Sequence, residues 1–142
     1  SIRYFNVYGA RQDDRMVIPR FVKQALKNEP ITIFGTGKQT RDFTYVKDVV
    51  KATRLLADKS LDCEIFNMCG QNEYTIYDLA RIIKGLTGSN SDLKIIEMPG
   101  ERYDFEVERR SGNSQKLFNS IGYIPDTKLE VGITDFIRNY NL

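Results

Sequence analysis

The residues best able to hold a phosphate group lie in the stretch FGTGKQTRDF at positions 34–43, directly after an apolar run. A P-loop needs four residues between its glycines, but Gly35 and Gly37 are separated by one, and Gln39 stands where the P-loop needs Ser or Thr. A dinucleotide-binding turn needs a third glycine at the position of Thr40. The glycines therefore predict a turn between two extended segments.

Arg41 is the residue in this stretch that best fits phosphate chemistry. It precedes two aromatic residues, Phe43 and Tyr45, so we expect buried surroundings in which a guanidinium must have a partner. A guanidinium can bind a diphosphate through two parallel hydrogen bonds. An internal ion pair with Asp42 or another carboxylate would satisfy the same group, so both interpretations stand at this point.

Other candidates are weaker when they are judged on residue type alone. Asn6 follows a predicted strand, where open α/β sheets place ligand-contacting groups, although asparagine is also common in turns. Phe34 could stack on a nucleobase or belong to the core. Arg102, Arg109 and Arg110 lie in the segment GERYDFEVERR, for which an exposed charged surface is the ordinary interpretation.

Composition excludes several classes of function. The 142 residues include no histidine and two cysteines, so the sequence offers no histidine metal site and no Ser-His or Cys-His nucleophile, and we predict no metal. The net charge of +2, with acids and bases interleaved, argues against a nucleic-acid partner. Short apolar runs, no visible signal peptide and few cysteines favour a cytoplasmic protein without a membrane partner.

Strands and helices alternate along the chain, which predicts a single domain of the α/β class. Strands are expected at residues 2–6 and at the runs ITIF, RDFTYV, CEIFNMCG, LKIIEM and RYDFEVERR. Helices are expected at VIPRFVKQALKN, VVKATRLLAD, IYDLARIIKGLTG, NSQKLFNSIGY and LEVGITDFIRNYNL. Asp48 and Thr75 are the expected N-caps of the second and third helices, and Gly88 is the expected end of the third.

Together these segments resemble the extended short-chain dehydrogenase/reductase group, in particular the NAD-dependent nucleotide-sugar epimerases and dehydratases such as UDP-glucose 4-epimerases. RYFNVYGARQ resembles that family's R-Y-F-N-V-Y-G-P-R-Q, and VIPRF to RDFTYVKDV is similar to its V-I-P-x-F to R-D-F-x-Y-V-x-D-V stretch. FNMCG resembles Y-N-I-G-x-G, and GYIPDTKLEVGI resembles G-Y-x-P-x-T-x-L-E-E-G-I. The resemblance covers essentially the whole chain.

The resemblance implies roles for five residues. Asn6 lies beside the diphosphate of a nucleotide sugar, and Arg41 grips that diphosphate. Phe34 and the backbone around Val17 line the nucleobase pocket. Tyr4 lies near the nicotinamide end of NAD, the implied cofactor.

A second arginine, from the C-terminal segment, is implied to close on the diphosphate. Many relatives read R-P-G-D where this chain reads MPGE at positions 98–101, so the identity of that arginine is open. Arg102 is favoured, and Arg109 and Arg110 are the alternatives.

The family's G-x-x-G-x-x-G turn and Tyr-x-x-x-Lys dyad belong before RYFN and are not in this sequence. The resemblance therefore implies the C-terminal substrate-binding part of an extended short-chain dehydrogenase/reductase, residues 1–142, with the edge strands of an incomplete Rossmann sheet. We expect an incomplete NAD site and no catalytic residue in this chain, and hence no activity from it alone.

The expected partners are a nucleotide-diphosphate sugar, the missing N-terminal dinucleotide-binding half and a second copy of the chain. A second copy is expected because IRYF and EIFNM would expose sheet edges. The alternatives are a free-standing nucleotide-sugar binding module and a non-functional remnant. The sequence leaves open the base, the sugar, and the choice between epimerase, dehydratase and decarboxylase.

Overall fold

Short strands and amphipathic helices build the parts of the chain that the computed structural model describes, which are residues 1–59, 62–100 and 107–140. The helices described there are α1 (Val17–Leu26), α2 (Val46–Ala57), α3 (Ile76–Thr87), α4 (Gln115–Ile121) and α5 (Leu129–Arg138). The strands are β1 (Ile2–Tyr4), β2 (Val7–Tyr8), β3 (Ile31–Phe34), β4 (Thr40–Asp42), β5 (Thr44–Tyr45), β6 (Phe66–Met68), β7 (Glu73–Thr75), β8 (Leu93–Ile96) and β9 (Arg109–Arg110). Within these ranges no helix has the length and apolar character to cross a bilayer.

Most strand pairs are parallel. β1 pairs with β6, β2 with β5, and β3 with β8, all in parallel. β4 lies at the centre of a three-stranded sheet, antiparallel to β7 and parallel to β9. Parallel pairs need long crossover connections, and here helices lie within those connections. The predicted α/β class is confirmed.

Two hydrophobic clusters hold these elements together. The larger joins α1, α3 and α5, with Phe21, Leu79 and Ile133 at 0% exposure. The smaller joins α2, α4 and β6 around Met68 and Leu117. The apolar residues recur at three- and four-residue spacing, so each helix presents a single apolar face to its cluster.

The predicted ends of α3 are confirmed. Thr75 is its N-cap, and the Thr75 hydroxyl oxygen accepts a hydrogen bond from the Asp78 backbone N–H at 2.9 Å. Gly88 ends the helix at a φ of 64°, a left-handed conformation that glycine adopts without a steric penalty.

The predicted N-cap role of Asp48 is wrong. Helix α2 begins at Val46, three residues before the predicted start at Val49, because Tyr45 at the end of β5 already has the extended conformation of an N-cap. Asp48 lies inside the first turn and is 7% exposed. Its carboxylate instead accepts hydrogen bonds from Tyr123 and Thr127, which follow α4.

Candidate functional site

The two glycines of the FGTGKQTRDF stretch form the predicted turn. Gly35 and Gly37 have φ values of 69° and 72°, in the left-handed region that favours glycine. The turn packs on the start of α3, where the carbonyl oxygens of Gly37 and Gln39 accept hydrogen bonds from the Tyr77 and Ile76 N–H groups, each at 3.0 Å. The turn therefore satisfies backbone N–H groups at the start of α3 and fixes the direction of β4, the strand that follows it.

Strand β4 sets Arg41 in a row of three residues across the sheet. Arg41 lies opposite Tyr74 on β7 and opposite Arg110 on β9. Because paired residues on neighbouring strands share a face, we call this row, Tyr74, Arg41 and Arg110, the arginine face. It brings together two cations that are 69 positions apart in the sequence.

The opposite face of the same sheet carries a compact ion pair. Arg109 donates through Nη2 to Glu73 Oε1 at 2.6 Å and through Nε to Glu73 Oε2 at 2.9 Å. The Thr40 hydroxyl also donates to Glu73 Oε2, at 3.0 Å. The Arg109 hydrogen bonds lower the pKa of the Glu73 carboxyl to about 2. We call this pair the Glu73–Arg109 brace.

Asp42 links the end of β1 to the loop after β9. Its side chain is 1% exposed and accepts hydrogen bonds from Asn6 Nδ2 at 2.9 Å and from the Gly112 N–H at 2.7 Å. Asp42 follows Arg41 on the strand, so the two side chains point to opposite faces. The two carboxylate oxygens of Asp42 thus accept hydrogen bonds from Asn6 and Gly112. This arrangement argues against the alternative in which Asp42 forms an ion pair with Arg41.

Asn6 lies at the strand end that the sequence predicted for it. It follows β1 with a φ of 38°, a left-handed conformation that asparagine tolerates better than most residues. Its Nδ2 carries two hydrogens, and one of them is directed to Asp42. The other hydrogen and the amide oxygen leave Asn6 able to bind a ligand from a fixed position.

Phe34, one of the two predicted nucleobase residues, contacts Arg20, and Val17, the other, lies on the same helix as Arg20. The guanidinium carbon of Arg20 lies 4.5 Å from the centroid of the Phe34 ring. Val17 and Arg20 are three residues apart on α1 and therefore lie on one side of that helix. Arg20 was missed by the sequence analysis, although an arginine inside VIPRF is a detectable signal.

The remaining predicted site residues are Tyr4 and Arg102. Tyr4, on β1, is 53% exposed. Arg102 lies outside the described residues, so its role stays a prediction. Within residues 1–59, 62–100 and 107–140, no group of three or more Cys, Asp and Glu residues is arranged to hold a metal ion.

Among the described residues, β1 and β6 do not form the strand-turn-helix arrangement of a dinucleotide site. A pyrophosphate in an open α/β sheet sits where a glycine-rich turn joins a strand to a helix N-terminus. In this structure the next element after β1 is the strand β2, and the next element after β6 is the strand β7. Neither strand of the β1–β6 pair therefore leads directly into a helix. The place of Tyr4 near the nicotinamide end of NAD stays a prediction.

One buried thiol lies close to this region. The Cys69 sulfur is 2.8 Å from the Ser114 hydroxyl oxygen, and the Cys69 N–H donates to the same oxygen at 3.0 Å. Burial raises the pKa of the Cys69 thiol. Because the thiolate is the reactive form, Cys69 should be inert in the folded chain.

Iodoacetamide is therefore expected to label Cys63 and to leave Cys69 unlabelled at pH 8. Cys63 is exposed, whereas Cys69 is 1% exposed. Mass spectrometry of digested peptides would measure both sites, with labelling in guanidinium chloride as the control in which both should react. Equal labelling of the two thiols in the folded chain would contradict the described packing around Ser114.

The parallel strand pairs and the paired arginines define an α/β protein with a candidate anion site on one sheet. Residues 1–69 match the profile of the NAD dependent epimerase/dehydratase family. The chain is 38% identical over 144 residues to UDP-N-acetyl-alpha-D-glucosaminuronate decarboxylase of Bacillus cytotoxicus, covering 96% of this chain and 44% of that protein.

Solved structures agree with this assignment. UDP-glucose 4-epimerase of Thermotoga maritima, crystallised with UDP-glucose, superposes with a TM-score of 0.88 and 30% identity, over 97% of this chain and 44% of that one. UDP-glucuronic acid 4-epimerase of Bacillus cereus, in complex with UDP-glucuronic acid and NAD, superposes with a TM-score of 0.86 and 30% identity, over 97% and 43%.

The chain matches the NAD-dependent epimerase/dehydratase family, within the extended short-chain dehydrogenase/reductase group, as its motifs predicted. NAD is confirmed as the cofactor of the family and is bound in a solved neighbour. The chain spans less than half the length of the relatives it matches here.

Proposed function

We propose that this chain binds the diphosphate of a UDP-sugar and forms the C-terminal substrate-binding part of an NAD-dependent epimerase, dehydratase or decarboxylase. The observation that carries the proposal is the register of β9 on β4, which sets Arg41 and Arg110 on one face. The named substrates of the similar proteins, UDP-glucose and UDP-glucuronic acid among them, support the choice of ligand.

Two guanidinium groups side by side suit a diphosphate for a physical reason. Like charges on neighbouring strands repel each other, and an anion that lies between or above them relieves this repulsion. A diphosphate supplies that charge and accepts two parallel hydrogen bonds from each guanidinium. The family resemblance also implies a place for Asn6 beside the diphosphate, and in this structure Asn6 binds Asp42, whose side chain points away from the arginine face.

The second arginine of the proposal is either Arg102, which the family pattern favours, or Arg110. Between Arg109 and Arg110, the geometry favours Arg110. Arg109 is committed to Glu73 on the opposite face, whereas Arg110 is exposed and shares the face of Arg41.

We further propose that the uracil ring lies against Phe34 and the backbone around Val17. One side of the Phe34 ring faces the Arg20 guanidinium. An arginine on one face of an aromatic ring holds that ring in place through a cation–π contact. A ring that is held in place in this way would give the base a fixed aromatic surface to pack against.

The chemistry of the parent protein requires residues beyond this chain. Among the described residues β1 pairs with β6 alone, so its other edge can pair with the N-terminal half of a longer protein or with a second copy. Both partners are proposals, as are the cytoplasmic location and the absence of activity in the 142-residue chain. In this proposal the chain holds the substrate while residues elsewhere react with it.

Calorimetric titration of the chain with UDP, with uridine as the comparison, tests the proposed function. We expect UDP to bind more tightly than uridine, because only UDP presents phosphates to Arg41. A parallel assay with NAD and UDP-glucose should show no turnover.

The outcomes separate the alternatives. UDP binding without turnover supports a substrate-binding part or a free-standing binding module. Failure to bind UDP would overturn the proposal and favour the remnant. Measurable epimerase activity would contradict the claim that the chain lacks the reacting groups. If UDP binds without turnover, the mass of the native protein in source cells would distinguish a part of a larger enzyme from a free-standing module.

A further inference from the structure

We propose that the Glu73–Arg109 brace is a positioning device, which holds β9 in the register that sets Arg110 beside Arg41. This inference rests on the proposed diphosphate site and deepens it. Glu73 and Arg109 themselves touch no ligand in this proposal. They act from the opposite face of the sheet.

The register of β9 needs support because the strand is very short. β9 consists of Arg109 and Arg110, and the N–H of Thr40 donates to the Glu108 carbonyl at 2.8 Å where β9 begins. Strands of two residues have few ladder hydrogen bonds to define a unique pairing. A slip by one residue would turn every side chain of β9 to the other face. Arg110 would then no longer lie beside Arg41, and Arg109 would occupy the position of Arg110.

The brace supplies this support across all three strands. Arg109 on β9 binds both oxygens of Glu73 on β7, and Thr40 on the central strand donates to one of them. A guanidinium that binds both carboxylate oxygens fixes direction as well as distance. The three contacts can form together only in the observed register, since Arg109 must be on the face that carries Glu73.

The position of the brace also keeps its negative charge away from the ligand. Glu73 and the arginine face lie on opposite sides of the sheet, so the carboxylate does not compete with a diphosphate for Arg110. The low pKa of Glu73, about 2, keeps the carboxyl ionised throughout the physiological range. The brace therefore neutralises Arg109 on its own face of the sheet and does not engage Arg41 or Arg110.

An exposed ion pair of this kind adds little to global stability. The side chains of Arg109 and Glu73 are 73% and 28% exposed. Exposed pairs are weak in solution because water and salt screen them. The consequence of removing the brace should therefore appear in phosphate binding and in local order at β9, and hardly at all in unfolding.

The test is Glu73→Gln, which keeps the size of the side chain and removes its charge. We expect UDP affinity to fall roughly 3- to 10-fold, the coupling typical of residues in one network. Uridine affinity, measured by NMR titration, should not change. In the Arg110→Ala background, Glu73→Gln should cause no further loss of UDP affinity.

Glu64→Gln is the matched control. Glu64 also forms an exposed ion pair, with Lys116 Nζ at 2.5 Å, on a different part of the surface. This change should leave the affinities for UDP and uridine as they are. Equal losses for UDP and uridine in Glu73→Gln would indicate general damage and would overturn the positioning role.

A readout without ligand keeps this test separate from the proposed function. Amide hydrogen exchange across residues 108–112 should be faster in Glu73→Gln than in the unchanged chain. If UDP does not bind at all, the proposed function fails while the exchange result still tests the brace. If UDP binds and depends on Arg41 but not on Glu73, or if exchange is unchanged, the brace inference is wrong.

Discussion

Replacing Arg41 with alanine is expected to weaken UDP binding by roughly 30- to 150-fold. The change removes charged hydrogen bonds to the diphosphate, which contribute about 2 to 3 kcal/mol, and each 1.4 kcal/mol corresponds to about a tenfold change in affinity. Arg41 lies in the middle of β4, whose backbone pairs with β7 and β9 do not depend on its side chain. The fold should therefore persist, and calorimetry on the variant should report the ligand contact.

Three further variants sharpen this result. Arg54→Ala, which removes an exposed arginine on α2, is the control and should leave UDP affinity unchanged. Arg110→Ala and Arg102→Ala compare the two candidates for the second arginine, and the true partner should show a loss similar to that of Arg41→Ala. Unchanged UDP affinity in Arg41→Ala would contradict the diphosphate role of Arg41. Unchanged UDP affinity in Arg110→Ala would contradict the inference, drawn from the register of β9, that Arg110 is the second arginine.

The helices and longer strands could be predicted because their signals are local. The apolar residues of α1 and α3 recur with helical spacing, and β3 coincides with the β-rich run ITIF at residues 31–34. The turn at Gly35 and Gly37 was predicted for the same reason, since it depends on residue type at a single position. These features need no knowledge of what packs against them.

The arginine face could not be predicted from the sequence because it depends on pairing between distant segments. β7 and β9 have three and two residues, too few for any periodic pattern. Arg110 meets Arg41 only through the register of β9 on β4. The ordinary interpretation of GERYDFEVERR as an exposed charged surface is correct in that Arg109 and Arg110 are both exposed. It does not reveal that the two side chains lie on opposite faces of the sheet.

Asp48 shows the same limit within a helix. Aspartate near a helix start is usually an N-cap, a preference that local propensity captures. In this fold the segment after α4 folds back onto α2, and Asp48 becomes the buried acceptor for that segment. A contact 75 to 79 residues away in sequence therefore decided the role of Asp48.

Asp48→Ala is accordingly expected to lower the free energy of unfolding by about 3 to 4 kcal/mol. The carboxylate accepts hydrogen bonds from the Tyr123 hydroxyl at 2.9 Å, the Thr127 N–H at 3.0 Å and the Thr127 hydroxyl at 2.8 Å. Alanine would leave these donors without their acceptor, and burial of an unsatisfied donor costs about 1 to 3 kcal/mol. Since domains are stable by only about 5 to 15 kcal/mol, the loss would be a large fraction of the total.

Urea unfolding followed by circular dichroism measures this loss, and Asp58→Ala is its matched control. Asp58 is the exposed C-cap residue of the same helix, so its replacement should change stability by less than about 0.5 kcal/mol. If Asp48→Ala does not fold, Tyr123→Phe removes one of the three donors and should cost about 1 to 2 kcal/mol. If the Asp48→Ala and Asp58→Ala variants have equal free energies of unfolding, the segment after α4 is held on α2 by its apolar contacts alone. The observed burial of Asp48 would then have to be a consequence of that packing, and its hydrogen bonds would add nothing to it.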